Sequence, residues 1–178
     1  ADDPLIDTLV RPDKGRPDAI ARLMREVARR YYLDQEASHV ARAGSDIVGA
    51  VLALPPEART GYGLRDSMRM VRHTIRVARL RGLWRAGQAS GFLNYIHPRA
   101  AHHYLYQLGA APEAPAGTDQ ALLAAVTDRA DGEGRPVYVE NSRPERRGLY
   151  EERGFTREAV VTLPGGAALE LLWRRPRG

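Results

Sequence analysis

The chain has 178 residues, 43% of them hydrophobic, and a formal net charge of +5 at pH 7, which suits one domain with a continuous apolar core. It contains no cysteine, so disulfides, thiolate metal sites and a cysteine nucleophile are excluded. The apolar runs are too short to span a membrane and the sequence does not begin like a signal peptide, so we expect a soluble, cytoplasmic protein.

The positive charge is carried almost wholly by arginine, because Lys14 is the only lysine. A basic surface attracts nucleic acid, membranes or a polyanionic cofactor, and charge alone does not choose among them. Since no recognised nucleic-acid-binding module occurs, we predict neither a nucleic-acid nor a membrane partner. A homodimer is left open.

The first part of the sequence predicts a helix and then a hairpin. In segment 16–32 apolar residues recur at helical spacing, with Pro17 in the first turn, where its missing N–H costs nothing. Two β-prone runs then flank the turn AGSD, and Pro55 and Pro56 close the second run.

Segment 63–82 predicts an amphipathic helix, with apolar residues on one face and arginines on a neighbouring one. We interpret the arginines as a solvated face whose stems cover apolar surface, and contact with phosphates remains the alternative. A second helical piece is predicted at 83–93.

Segment 102–140 predicts a strand, a helix and a strand. Aromatic and apolar residues alternate over 102–108, a helix follows at 119–132, and a β-prone run lies at 137–140. This order is a βαβ crossover, so the two strands should be parallel.

The sequence then predicts a short helix, begun by Pro144 and stopped by Gly154, and a hairpin with Pro-Gly-Gly at its turn. No repeat, linker or low-complexity segment interrupts this order. We therefore predict one domain over 1–178, with a helical insert at about 61–99.

Together, the strand ending in QLGAAP, the loop and helix with ALLAAV, and the run VYVENSRPERRGLYEERGF resemble the GNAT superfamily of N-acetyltransferases. The most specific part is LYEERGF, where the family has a tyrosine in a short helix followed by Gly-Phe. HPRAAHHYLYQLG resembles a subgroup with a helical insert before its fourth strand. The resemblance implies an α/β (α+β) fold: a mixed, mostly antiparallel sheet with a central parallel pair splayed into a V and helices on both faces.

That subgroup usually has a first strand and helix before a segment like ADDPL, with which this sequence begins. About twenty family residues are thus missing from the sequence. Either the chain is trimmed or its sheet lacks an edge strand.

The resemblance implies that acetyl-CoA or another acyl-CoA lies in the V between the family's fourth and fifth strands. Free strand amides would serve the pantetheine, and the loop before the helix would aim its amides and the helix dipole at the pyrophosphate. Tyr150 matches the family tyrosine that faces the sulfur as general acid, and a core tyrosine is the alternative. The implied cofactor contacts are Leu108, Ala110, Ala114, Gly117, Asp119, Gln120 and Arg146.

The loop departs from the family pattern of Gln or Arg, x, x, Gly, x, Gly or Ala. Ala114, Gly117 and Asp119 fall on its three defined positions, and only Gly117 is retained. Asp119 adds bulk and charge where the backbone should approach phosphate, and we expect its carboxylate to cap the helix as the loop's own anion. Arg143 and Arg146 stand where the family commonly has asparagine. Binding of acyl-CoA is therefore left open, and a chain without a cofactor is the alternative.

Several histidines and carboxylates are candidates for acid–base chemistry. His97, His102 and His103 lie close in the sequence, and a neutral imidazole can be a general base. His102 and His103 should point to opposite faces of a strand, so at most one faces a given cavity. Glu113 and Glu140 are further candidates, whereas zinc is not expected without cysteine or an HExxH pair. The predicted catalytic residues are Tyr150, His102, His103 and Glu140.

The first functional hypothesis is a GNAT-fold acyltransferase that moves an acetyl or other acyl group from acyl-CoA to an amine of a small molecule, such as an antibiotic or an intermediate of secondary metabolism. The alternative is a cyclase, lyase or isomerase that has lost the cofactor and uses the cleft for acid–base chemistry. A non-catalytic ligand-binding protein is the third. The predicted acceptor-binding residues are Tyr62, Met68, Met70, Trp84, Phe92 and Tyr104.

Overall fold

The computed structural model describes residues 16–58, 80–164 and 166–177. Its α-helices are α1 (Arg16–Val27), α2 (Leu80–Ile96), α3 (Thr118–Gly132) and α4 (Arg147–Glu152). Its strands are β1 (His39–Ala43), β2 (Asp46–Leu54), β3 (His103–Ala110), β4 (Val137–Asn141), β5 (Thr156–Thr162) and β6 (Ala168–Arg174). A π-helical turn, Ala28–Tyr32, continues α1, and a 3-10 turn, Pro144–Arg146, leads into α4. Within these residues no helix is long and apolar enough to span a membrane.

The described strands form one sheet in the order β1-β2-β3-β4-β6-β5. All neighbours are antiparallel except β3 and β4, which α3 connects as a parallel pair. This confirms the predicted mixed, mostly antiparallel sheet and its βαβ crossover. The expectation of a missing first strand concerns residues at the start of the chain, which lie outside the described ranges.

The parallel pairing of β3 and β4 is short. It ends at Leu105↔Val139, although β3 continues to Ala110 and β4 to Asn141. Tyr106, directly after the last pair, is an extra residue in β3 relative to β2, since Ala53 pairs with Leu105 but Leu52 with Gln107. Such a bulge bends and twists its strand. The two strands therefore separate beyond Leu105, as the predicted V requires.

Each face of the sheet carries its own apolar layer. On the face covered by α3 and α4, Leu105 and Val139 pack with Leu123 in the main core. On the opposite face Tyr104 and Tyr106 pack against residues of the π-helical turn and β2. Alternation along β3 thus divides the cleft into a helix side and an aromatic side.

Two elements extend further than the sequence predicted. α2 is one helix over Leu80–Ile96, whereas the pattern indicated 83–93. β3 continues through Gly109, because Gly109 pairs with Ala50 of β2. The helix predicted at 63–82 lies almost wholly outside the described residues.

Asp131, at the end of α3, is bound to the last strand. The buried Arg174 donates from Nη1 and Nη2 to Asp131 Oδ1 and Oδ2, at 2.7 and 2.6 Å, and from Nε to the Arg153 carbonyl at 2.7 Å. The hydrogen bonds from Arg174 lower the pKa of Asp131 to about 2. This two-pronged ion pair fastens β6 to α3.

We expect Asp131→Asn to lower the free energy of unfolding by about 2 kcal/mol at neutral pH, because buried Arg174 loses its counter-charge. Since the pKa of Asp131 is lower in the folded state, its contribution is complete above about pH 4 and is lost towards about pH 2. Urea titrations of the parent and the variant, at neutral pH and at about pH 2, measure the difference in their free energies of unfolding. The matched control is Asp128→Asn, which removes the exposed partner of Arg153 and should cost no more than about 0.5 kcal/mol. Equal losses for both variants would contradict this account.

Candidate active site in the split between β3 and β4

The side chain of Arg146 bridges the gap between the separated strands. Arg146 ends the 3-10 turn after β4, and its Nη1 donates to the Leu108 carbonyl of β3 at 2.9 Å. Its Nη2 lies 2.7 Å from Oδ2 of Asp119 in α3. One guanidinium therefore links both arms of the V with the first turn of α3.

Asp119 does not cap α3, so that expectation is wrong. The N-cap is Gly117, no side chain makes a capping hydrogen bond, and Asp119 is already the second helical residue. From inside the first turn its carboxylate reaches Arg146 instead of the helix amides. The loop does carry its own anion, but that anion is paired with an arginine.

The backbone before α3 retains features of an anion site. Gly117 has φ +86, a conformation that favours glycine, and a Cβ added there would meet no atom within 4 Å. The amides of Thr118 and Ala121 bind the carbonyls of Pro115 and Gly117. Among the described residues, no acceptor is found for the amides of Asp119 and Gln120. Free amides at a helix N-terminus attract anions.

The Arg146–Asp119 pair is incompletely satisfied. Arg146 Nη2 and Asp119 Oδ1 are buried atoms that lack a hydrogen-bond partner in the described part of the chain. The contact of 2.7 Å between Nη2 and Oδ2 is thus an ion pair without hydrogen-bond geometry. The side chains as a whole keep some exposure, 18% for Arg146 and 34% for Asp119, so solvent reaches other atoms of both side chains but not these two.

Tyr150 lies on the helix side of the cleft. Its side chain is buried in the main core, and its ring packs edge-on against Phe155 at 5.6 Å between centroids. Burial raises the pKa of the phenol, an effect that the nearby Arg146 partly offsets. Tyr150 is therefore protonated at neutral pH, so its hydroxyl can donate a hydrogen bond or a proton there.

Glu140 forms the centre of a second group on the aromatic side. Its carboxylate accepts hydrogen bonds from the Tyr104 hydroxyl at 2.9 Å and the Tyr138 hydroxyl at 3.3 Å. His97, just after α2, places Nδ1 3.7 Å from the same carboxylate. The Glu140 side chain is 8% exposed. We call these four residues, with His102 and Trp173, the Glu140 cluster.

The two tyrosines hold the Glu140 carboxylate as proton donors. Burial and the neighbouring Glu140 charge raise the pKa of both phenols, for Tyr104 well above its ordinary value. Glu140 directly follows Val139, the last parallel partner of β3. A buried carboxylate therefore stands where the strands begin to separate.

His102 joins this cluster, whereas His103 does not. His102 Nδ1 lies 2.6 Å from the Ala100 carbonyl, and its ring centroid is 5.0 Å from that of His97. His103 is buried on the opposite face, with Nε2 2.7 Å from Glu133. Strand alternation separates the two histidines as predicted. We therefore leave His103 out of the site.

The lone pair of His102 is available. A carbonyl oxygen only accepts, so Nδ1 carries the proton. Burial, the largest effect, lowers the pKa of the ring, which is thus neutral at pH 7. Its Nε2 is buried and has no partner among the described residues. His102 therefore offers an unprotonated nitrogen inside the cluster.

The predicted acceptor-binding residues are dispersed. Tyr104 belongs to the Glu140 cluster, but Phe92 packs against separate apolar residues of the β5–β6 hairpin, among them Leu163 and Leu169. Tyr62, Met68 and Met70, together with the side chain of Trp84, lie outside the described residues. No group of three or more histidine and carboxylate side chains suited to a metal occurs in the described residues.

Two further residues of the Glu140 cluster were not selected from the sequence. Tyr138 pairs with Trp173 across β4 and β6, and the Trp173 ring lies 5.4 Å from His102. Tyr138 had a signal, because it stands two residues before Glu140 in a strand and so shares its face. No sequence signal indicated Trp173, since the register between β6 and β4 cannot be predicted from the sequence.

Comparisons with known proteins identify the fold. No protein-family model and no curated protein sequence matches the chain. Among solved structures, the histone acetyltransferase HPA2 and related acetyltransferase of Corynebacterium glutamicum is similar over 99% of this chain and 84% of its own, at 22% identity and TM-score 0.68. The polyamine N-acetyltransferase of Drosophila melanogaster is similar over 94% and 86%, at 14% identity and TM-score 0.59. The NatC complex, solved with a Gag peptide and CoA, is similar over 93% of each chain, at 14% identity and TM-score 0.54. The chain therefore has the fold of the GNAT N-acetyltransferases.

We expect His102 to titrate below pH 6.5 in the folded protein, because burial disfavours its charged form. The unfolded chain then takes up the proton first, so the stability that His102 contributes is complete above about pH 6.5 and falls at lower pH. NMR titration of the imidazole signals, assigned with the variant His102→Gln, measures the pKa. A midpoint at or above 6.5 would contradict the described environment.

Proposed function

We propose that the chain transfers an acyl group from acyl-CoA to the amine of a small molecule. The observation that carries this proposal is the end of the β3–β4 pairing at Leu105 and Val139. Beyond this point the edges of β3 and β4 are free of each other. The gap between them faces α3 on the helix side, and the Glu140 carboxylate lies at the start of the gap on the aromatic side. Donor and acceptor would approach each other through this gap.

The donor side fits a CoA thioester once one side chain moves. The edge of β3 beyond Leu105 is free of β4, and the amides of Asp119 and Gln120 with the open backbone at Gly117 suit a pyrophosphate. Arg146 is the obstacle, since it holds the Leu108 carbonyl. When bound, acyl-CoA supplies an activated thioester. The residues that would hold it are Leu108, Gly117, Gln120 and Arg146.

The acceptor side suits a protonated amine. An ammonium must lose a proton before its nitrogen can attack the thioester carbonyl. Glu140 accepts two phenol hydrogen bonds, and a carboxylate has about four acceptor positions, so positions remain for an ammonium N–H. We assign Glu140 as the general base, with Tyr104 and Tyr138 fixing its orientation.

The transfer would form a carbon–nitrogen bond and break the carbon–sulfur bond of the thioester. The ammonium would lose one proton to Glu140 before its nitrogen attacks the carbonyl carbon, and the nitrogen would lose a second proton, for which His102 Nε2 is the candidate acceptor, as the thiolate departs. Tyr150, which is protonated and lies near Arg146 on the helix side, is the candidate proton donor to the departing thiolate. The free nitrogen of His102 is a second proton acceptor within the Glu140 cluster.

The bridging position of Arg146 favours one alternative. If Arg146 keeps the Leu108 carbonyl and Asp119 permanently, the cleft holds no CoA. Glu140 and His102 would then serve acid–base chemistry on a single substrate, such as cyclisation, elimination or isomerisation. Cofactor binding separates the two functions, because only the acyltransferase requires it.

Incubation with acetyl-CoA and a panel of small primary amines, including polyamines, should release free CoA thiol and give N-acetylated products. We expect Glu140→Gln to lower kcat by about 100-fold, since it removes the general base, with little change in the affinity for acetyl-CoA. The readouts are thiol release and product mass.

Glu158→Gln is the matched control, because it removes an exposed carboxylate on β5 and should leave kcat unchanged. Absence of any acetylated product, together with no heat of binding at millimolar acetyl-CoA, would contradict the acyltransferase. Turnover of a substrate without CoA would favour the alternative.

A further inference from the structure

The Arg146 side chain occupies the donor side of the cleft, where it binds two groups of the chain itself. Nη1 occupies the carbonyl of Leu108, and Nη2 faces the carboxylate of Asp119 in the first turn of α3. In a thioester donor bound in the gap, a pantetheine amide would donate to the Leu108 carbonyl, and the phosphates would lie near Asp119 in the first turn of α3. The arginine therefore competes with the donor at both ends.

The pair is suited to exchange because it is incomplete. Asp119 Oδ1 and Arg146 Nη2 are buried without hydrogen-bond partners in the described residues, and a buried polar atom without a partner is unfavourable. A guanidinium binds phosphate through two parallel hydrogen bonds. A pyrophosphate near α3 would thus satisfy Arg146 better than Asp119 does, and would also use the free helix amides.

We propose that Arg146 determines donor specificity by exchanging Asp119 for the phosphates of the donor. This inference rests on the proposed acyl transfer from CoA. When Arg146 turns to the phosphates it releases the Leu108 carbonyl, so phosphate binding and opening of the strand edge are one event. A thioester without phosphates supplies no acceptor for Arg146. Its binding must therefore displace Arg146 from the Leu108 carbonyl without that compensation.

Two substitutions separate the functions of the pair. Arg146→Asn removes the group that blocks Leu108 and also the group that binds phosphate, so it should affect the two donor types in opposite directions. Asp119→Asn keeps the shape of the side chain but removes the competing charge, so Arg146 becomes free for phosphates. A residue that merely stabilises the fold would not reverse its effect between ligands.

The experiment is calorimetric titration of the whole chain with CoA and with pantetheine, which lacks the phosphates. For Arg146→Asn we expect CoA to bind at least about tenfold more weakly and pantetheine at least about threefold more tightly than to the parent. For Asp119→Asn we expect CoA to bind about tenfold more tightly, with pantetheine nearly unchanged.

Two further variants keep the result interpretable. Arg135→Gln removes one exposed positive charge from the loop between α3 and β4, so it controls for net charge and should change neither affinity. Arg146→Lys keeps the charge but loses the two-pronged geometry, and it should give intermediate affinities for both ligands. Thermal melts of each variant verify folding.

A change of the same sign for both ligands in Arg146→Asn would overturn the exchange, as would tighter CoA binding in that variant. Failure to detect pantetheine binding to Arg146→Asn at millimolar concentration would also overturn it. Failure of the underlying function looks different: neither the parent nor any variant would then bind CoA.

Discussion

The hydrogen bonds between β3 and β4 end at Leu105 and Val139, and the whole candidate site depends on that ending. Beyond it each strand has an edge whose amides and carbonyls need partners. The bulge at Tyr106, which bends and twists β3, coincides with this ending. A ligand, water or a side chain must then satisfy the strand edge, and in this chain Arg146 does so at Leu108.

Strand alternation gives the gap two chemically different sides. Leu105 and Val139 face α3, whose N-terminus favours anions, while Tyr104 and Glu140 face the aromatic layer. A phosphate-bearing donor and a cationic acceptor would therefore approach from opposite sides of one sheet. The charge of each side would suit a different partner, and the Glu140 carboxylate would lie apart from a pyrophosphate bound near α3.

Much of the fold was readable because its signals are local. The alternation in β3, the apolar pattern of α3 and the crossover length predicted the parallel pair, and the Gly-Phe after α4 supported the resemblance. The prediction of Asp119 as a helix cap was wrong, because Gly117 in its positive-φ conformation already begins α3. Sequence alone does not show which residue of the run Gly117-Thr118-Asp119 caps the helix.

The contacts that define the candidate site join residues distant in the sequence. Glu140 and Tyr104 are 36 positions apart, and Leu108 and Arg146 are 38 apart. Such pairs follow from register and strand order, which no local pattern encodes. The arginine at 146 was visible as a departure from the family asparagine, but its reach across the gap required the structure.

The most direct test of this account is a crystal structure of the chain with CoA. We expect CoA between β3 and β4, the Arg146 guanidinium on a phosphate, and the Leu108 carbonyl accepting a hydrogen bond from a pantetheine amide. CoA bound outside the split, or Arg146 still bridging Leu108 and Asp119 beside a bound CoA, would contradict it.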